Sequence, residues 1–308
     1  MTVDPDGRGA DVDAEASFLA HRRLLFAVAY RILGTASDAE DVVQDSWLKW
    51  STAERRAVAD VKAYLVRIAT NLAVDRLRSA RVQRETYVGP WLPEPVLTDP
   101  DVAEHSVLAD SVSMAMLVVL ETLTPLERAV FVLREVFGFG YNEIADAVDR
   151  SEASVRQLGH RAREHVQARR PRFRPGPDER RAATEKFLAA ALGGDLNELL
   201  EVLAPDVTLW TDGGGKVRAA LRPIHGAAKV AAWLVGVRGR GYQGIRPEDM
   251  RAELIEVNAG TGILLSGPDR PLALISVEVG EVGTVTGIRA VANPDKLRFI
   301  EPGSGRLN

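Results

Sequence analysis

The chain has 308 residues, no cysteine, 46% hydrophobic and 27% charged residues, and a formal net charge of −4. That length suggests two domains or three small ones, and the lack of cysteine excludes a disulfide scaffold, a zinc ribbon and a thiol nucleophile. The longest apolar stretch, around Met114–Leu120, falls far short of the roughly 20 residues of a membrane span. The acidic start (Asp4, Asp6, Asp11, Asp13, Glu15) lacks the basic-then-apolar order of a signal peptide, so a cytoplasmic protein without membrane contact is expected.

Residues 1–16 read as a disordered acidic terminus. Residues 17–84 carry 12 Lys/Arg against 7 Asp/Glu and read as helices. Ser37-Asp38-Ala39-Glu40 fits a capping box with Ser37 as N-cap. A later pattern from Val61 to about Arg81 sets Tyr64, Leu65, Ile68, Leu72 and Leu77 on one side. Residues 85–104 hold five acids, no base, and Pro90, Pro93, Pro95 and Pro100. The prolines forbid a continuous helix, which predicts an acidic linker.

Residues 105–172 turn helical again, with a second capping box at Thr124-Pro125-Leu126-Glu127, proline at the first helical position. A short helix (Tyr141–Val148), a turn at Asp149-Arg150 and an N-cap at Ser151 predict a helix-turn-helix. In its second helix Val155, Leu158, Ala162 and Val166 form an apolar stripe. The opposite side offers Arg156, Gln157, His160, Arg161 and Arg163. Such a helix can simply be solvated, but Arg and Gln are the side chains that read base edges in the major groove. Residues 150–174 carry 8 Arg against 2 Glu, and that local charge is what phosphates feel.

The Pro-rich segment Arg169–Pro177 is a second boundary. Beyond it, helices over 178–193 and 195–203 precede strands at Val207–Trp210, Val217–Leu221, Met250–Val257, Gly262–Leu265, Leu272–Val279 and Val285–Ala292, with a helix at 227–235. This pattern predicts an α+β domain over 178–302, a mostly antiparallel sheet with helices on one side.

Asp38 through Asp45, then Tyr64-Leu65-Val66-Arg67-Ile68-Ala69-Thr70-Asn71-Leu72-Ala73-Val74-Asp75-Arg76-Leu77-Arg78, closely resemble the σ2 domain of extracytoplasmic-function (ECF) sigma factors. Leu123–Arg128 and Ser151–Arg163 resemble their σ4 domain. The C-terminal part is similar to a SnoaL-like domain of the NTF2-like fold, a cone-shaped sheet with helices. Three motifs resemble the ECF group that carries this extension: Trp91-Leu92-Pro93-Glu94-Pro95, Asp212-Gly213-Gly214-Gly215-Lys216 and Asn293-Pro294-Asp295-Lys296-Leu297.

The resemblance implies an all-α σ2 and σ4 pair followed by the α+β domain, acting as an alternative sigma factor. Asp38, Asp41, Gln44 and Asp45 would bind the β′ clamp helices of RNA polymerase core, and the polymerase β flap would be a further partner. Asn71 would meet the −10 element, with Arg67, Arg76, Arg78 and Arg81 on nearby phosphates. Arg156, Gln157, His160, Arg161 and Arg163 would read the −35 element. The attached domain would modulate activity in cis, without a separate anti-sigma factor.

No cofactor, metal or catalytic residue is expected. A pocket lined by Trp210, Asp212, His225, Trp233 and Asp295 would admit a small-molecule ligand. Asp212 and His225 could imitate the proton-transfer pair of polyketide cyclases, yet an Asp in a Gly-rich turn is favoured for backbone reasons alone. A docking alternative has Lys216 and the glycine loop receive the linker, with Trp91 as anchor. The competing function class is a one-component ligand-responsive DNA-binding regulator, or a SnoaL-type enzyme fused to a DNA-binding module.

Overall fold

A computed structural model describes residues 13–54, 58–98, 113–169 and 175–300. Expectations for the first twelve residues, for 99–112 and for 170–174 lie outside the described residues. The chain divides into two compact units, Met1–Ala80 with Glu121–Ala168, and Arg81–Leu120 with Arg169–Asn308.

In the first unit, α1 (Ala14–Leu33) opens with Asp13 accepting from the Glu15 and Ala16 amides and closes on Gly34 at φ 77°. The next helix, α2, spans Ala36–Ser51 with Thr35 as N-cap. The expected Ser37 cap is therefore corrected. Left-handed Gly34 ends α1, and extended Thr35 (φ −128°) already has the N-cap backbone, so Ser37 falls inside the first turn. Thr35 Oγ1 donates to Asp38 instead, at 2.5 Å. Fully buried Trp50 locks α2 to α1 through Nε1 on the Ala14 carbonyl, 2.8 Å. Helix α3 runs Val61–Arg84, its buried face lined by Leu65, Ala69, Ala73 and Leu77.

The capping box at Thr124 is complete and starts α5 (Pro125–Phe131), which continues through a π-turn at Val132–Val136. Arg128 is fully buried. Its Nε donates to the Arg31 carbonyl at 2.9 Å and it pairs with Glu121. Helices α6 (Tyr141–Val148) and α7 (Glu152–Arg169) form the helix-turn-helix, turning at Asp149 with φ 53° and ψ 57°. Asp tolerates this left-handed backbone better than most residues. The stripe Val155, Leu158, Ala162 and Val166 is buried as expected.

The second unit contains α4 (Met114–Leu120), α8 (Pro177–Gly193), α9 (Leu196–Val202) and α10 (Ala227–Arg240). Its strands are β1 (Leu203–Asp212), β2 (Ile224–His225), β3 (Arg251–Val257), β4 (Gly260–Ser266), β5 (Pro271–Val279) and β6 (Val285–Val291). They form one sheet ordered β2-β1-β6-β5-β4-β3, antiparallel except for β1 beside β6. The expected strand at Val217–Leu221 does not form. The Thr211 hydroxyl takes over its ladder role, accepting from the Ala220 amide at 2.7 Å and donating to the Ala220 carbonyl at 3.2 Å.

Alternation along the strands gives the sheet two apolar faces. Val207, Leu209, Ile263 and Ile288 pack with Phe187, Leu199 and Val230 from the helices. The other face carries Ile255, Val257, Leu264 and Leu274, and it is covered by Leu92 and Leu97 of the linker and by Met114 and Val118 of α4. Residues 96–98 also pair with the edge of β3. Asn258 N donates to the Val96 carbonyl and Thr98 N to the Glu256 carbonyl, both at 3.0 Å. An edge that would otherwise offer unpaired backbone groups is thus closed by the linker.

Candidate nucleic-acid interface and the linker-docking site

On α2, Asp38, Asp41 and Asp45 gather around one cation from α3. Arg76 meets Asp38 at 2.9 Å, Asp41 in a short ion pair, and Asp45 at 4.0 Å. Gln44 stands beside them, exposed. Arg76 was expected on phosphate, but it is engaged by the carboxylates expected to bind polymerase. Arg67, Asn71 and Arg78 are exposed along α3, and their four- and seven-residue spacing keeps them on one side. Arg78 pairs with Asp75 at 2.7 Å. Arg81, in the same helix, is half-buried.

On α7, Arg156, Gln157, His160 and Arg161 are exposed. Arg156 pairs with Glu152 and lies 4.7 Å over the Tyr141 ring. His160 reaches Glu164 at 3.3 Å, and Arg161 reaches Glu127 at 3.5 Å. Arg163 is drawn back toward the bundle by Glu135, 2.7 Å away, which holds its guanidinium above the usual range, helped by the Tyr141 hydroxyl.

In the second unit the three motifs meet. Asp212, at the end of β1, is fully buried. Its carboxylate accepts from the Tyr87 hydroxyl, from the Leu92 amide at 2.8 Å and from Lys296 Nζ at 2.7 Å. Lys296 also donates to the Leu92 carbonyl. The Asp212 carbonyl accepts from the amides of Ala292 and Asn293, both at 2.8 Å. Asn293 Nδ2 donates to the Tyr87 hydroxyl at 2.9 Å, and its Oδ1 caps α11 (Pro294–Leu297). Two cations approach the Trp91 ring, Arg84 at 3.6 Å and Lys296 at 4.2 Å from its centroid. Pro93 and Glu94 are buried.

Burial draws the Lys296 ammonium down to about 8, against the pull of Asp212. Burial, then the bond to Asp212, pushes the Tyr87 phenol well above its usual value. The glycine loop is shaped for this packing. A Cβ on Gly214, at φ 59°, would collide with the Asn293 amide and sit 3.0 Å from the Tyr87 hydroxyl, and one on Gly215 would lie 3.2 Å from Val88. Gly213 closes the turn through its carbonyl, which accepts from the Lys216 amide. Lys216 itself pairs outward with Asp295 and not with the linker. Sequence reasoning missed Tyr87, whose partner is 125 residues away and leaves no local signal.

The five residues expected around one pocket are dispersed. Asp212 is sealed. Trp210 sits beneath Arg289, Trp233 packs with the helices, and Asp295 is exposed. His225 is exposed and bonds Thr208. Thr208 lies four residues from Asp212 on β1, about 13 Å along a strand, so Asp212 and His225 form no proton-transfer pair.

The Sigma-70 region 2 family matches residues 18–82, and the Sigma-70, region 4 family matches residues 113–166. ECF RNA polymerase sigma factor SigJ of Mycobacterium tuberculosis is 37% identical over 293 residues, covering 92% of each chain. The chain belongs to the ECF RNA polymerase sigma factors. SigG of the same organism is 31% identical over 266 residues, covering 73% of this chain and 70% of its own. The crystal structure of the Mycobacterium tuberculosis ECF sigma factor SigJ matches with a TM-score of 0.73 at 33% identity, over 92% of this chain and 98% of that one. This ECF protein is an alternative sigma factor that directs RNA polymerase to promoters, with helical regions 2 and 4 followed by an α+β domain. The sigma factor family is non-enzymatic. No helix among the described residues is long and apolar enough to cross a membrane.

Proposed function

We propose that the C-terminal domain sets the activity of this sigma factor in cis by gripping the linker between regions 2 and 4. The observation that carries the reading is the buried Asp212 carboxylate, bonded by Tyr87, Leu92 and Lys296. The linker is the covalent tether between the two promoter-reading regions. Elements at −10 and −35 lie about 25 base pairs apart, roughly 85 Å along straight B-DNA. Residues 87–98 would supply about 40 Å if extended. Held against the sheet, they are withdrawn from the tether, so docking limits which element spacings can be read together.

Around this restraint, Asp38, Asp41, Gln44 and Asp45 bind the polymerase clamp helices, and Arg76 orders that acidic face. Arg67, Asn71, Arg78 and Arg81 serve the −10 element, where capture of an unstacked base offsets part of the cost of strand opening. Arg156, Gln157, His160 and Arg161 read the −35 element, and Arg163 braces their helix. The protein acts in the cytoplasm without a separate anti-sigma factor, and the C-terminal domain is a regulator and not an enzyme.

The test is in vitro transcription with core polymerase on promoters whose spacers vary by one or two base pairs. Wild type should show a sharp optimum, and the Asp212→Asn/Lys296→Met double variant a flatter profile. Identical profiles would end the cis reading. Charge reversal at Asp41 and Asp45 should abolish core association in pull-down, and retained association would remove those residues from the polymerase contact.

A further inference from the structure

We infer that one end of the C-terminal domain is a third nucleic-acid contact, an arginine surface that binds the phosphates of duplex DNA beside the promoter elements. The domain as a whole hides it. Residues 178–308 carry 16 Lys/Arg against 17 Asp/Glu, yet residues 213–251 carry 8 Lys/Arg against only Glu248 and Asp249. That segment has a net charge of +6, the same as residues 150–174 around the recognition helix. Six of its eight cations are arginines, which suit bidentate phosphate contacts better than lysines do.

The fold draws this charge together. Tyr242, Leu272 and Ala273 form a small core with Val217, Ile245 and Met250 around them. The Tyr242 hydroxyl donates to the Arg218 carbonyl at 2.9 Å, which places Arg218 beside the end of α10 and its Arg240. Arg270 Nη2 donates to the Gln243 carbonyl at 3.1 Å, which brings in the β4–β5 hairpin. Arg251 opens β3 opposite Ser266, next to that same hairpin.

Arg218, Arg240, Arg251 and Arg270 are all exposed. Among the described residues none of the four has a carboxylate within ion-pair distance, whereas neighbouring Arg246 is neutralised by Glu248 and Asp249. Arg270 donates to a carbonyl, and exposed Asp269 beside it in sequence makes no ion pair with it. Like-charged arginines gathered at one end of a domain repel, and the polyanion that this family works on supplies their complement.

Each phosphate neutralised contributes about 0.9 to the slope of log affinity against log salt. The experiment uses full-length protein with core polymerase on a fluorescent duplex promoter carrying flanking DNA. Replacing the four arginines with glutamine should lower the slope by about 2–4 and weaken binding tenfold or more at about 100 mM salt. Replacing them with lysine should restore most of both, which rules out a folding defect. Phosphate contacts carry no base information, so preference among promoter sequences should stay unchanged. Because the chain has no cysteine, Asp269→Cys at the exposed hairpin tip accepts a single photocrosslinker, which should label DNA in the promoter complex. An unchanged slope, an altered sequence preference, or crosslinks only to polymerase or transcript would each overturn the inference. None of these readouts depends on the linker, so failure here is separable from failure of the cis reading.

Discussion

The molecule contains two clusters in which a cation meets carboxylates, and they differ in burial. On α2, Arg76 gathers Asp38, Asp41 and Asp45 at the surface, with Asp41 and Asp45 about half exposed. In the C-terminal unit, Lys296 meets Asp212 with side-chain exposures of 8% and 0%. The chemistry is similar, but the consequences are not. Water screens the first cluster, so its carboxylates can be exchanged for a partner's groups at small cost. The second is buried, and its members are held by each other, by Tyr87 and by the Leu92 backbone. The surface cluster suits a binding face, and the buried one suits a latch.

The sharpest way to break this contrast is to remove one member of the buried pair. Asp212→Asn leaves Lys296 buried without its ion-pair partner, with only the weaker field of Glu94 remaining, and should destabilise the full chain by about 3–5 kcal/mol, read from urea unfolding. Adding Lys296→Met should recover part of that loss, since the two substitutions share one interaction. Equal and additive losses would show that the two groups act separately.

The buried pair also predicts a pH signature. The Lys296 value in the folded chain is about 8, below its ordinary 10.5. Between those values the unfolded chain binds more protons, so stability contributed here rises with pH across that window. Tyr87, shifted upward, contributes stability below its ordinary value of 10 that is lost as pH climbs past it. Thermal midpoints measured from pH 7 to 10 should therefore rise in wild type relative to Lys296→Met, and a constant difference would contradict this linkage.

A smaller effect belongs to the exposed recognition helix. Arg156→Ala should cost about 1–3 kcal/mol of promoter binding and relax preference at one −35 position, measured by competition among promoter variants. A uniform loss across all sequences would make Arg156 a phosphate contact.

What was legible in the sequence follows the range of the interactions. The Thr124 capping box, the Asp149 turn and the apolar stripe of α7 depend on neighbours a few residues away, and all three stand as read. The strands of the C-terminal domain are β-rich and separated by glycine-rich turns, which is enough to place them, except Val217–Leu221, where the Thr211 hydroxyl replaces a ladder. The latch was only half visible. Its three motifs stand out, but Asp212 in a glycine-rich segment reads equally well as a turn residue. Nothing near Tyr87 announces a carboxylate 125 positions later. Arg76 likewise looks like any cation of a DNA-facing helix until the fold brings α2 against it. Glu94 counts in the sequence as one acid of an acidic linker, yet it is 2% exposed, between buried Leu92 and Val96.

Within the C-terminal unit, Lys296 and Lys216 differ in burial in the same way. Both pair with a carboxylate, and their partners are reciprocal: Lys216 of the glycine loop holds Asp295 of α11, and Lys296 of α11 holds Asp212 at the head of the loop. Lys216 and Asp295 are 52% and 60% exposed, so water and salt compete for both. A double-mutant cycle with Lys216→Ala and Asp295→Ala should give a coupling below about 1 kcal/mol, falling further as ionic strength rises. Coupling between Asp212 and Lys296 should survive the same salt, because the pair is almost wholly buried. If the two cycles returned equal couplings with equal salt dependence, burial would not be what separates them. The latch would then have to be sought in Tyr87 and the Leu92 backbone, which reach Asp212 without any lysine.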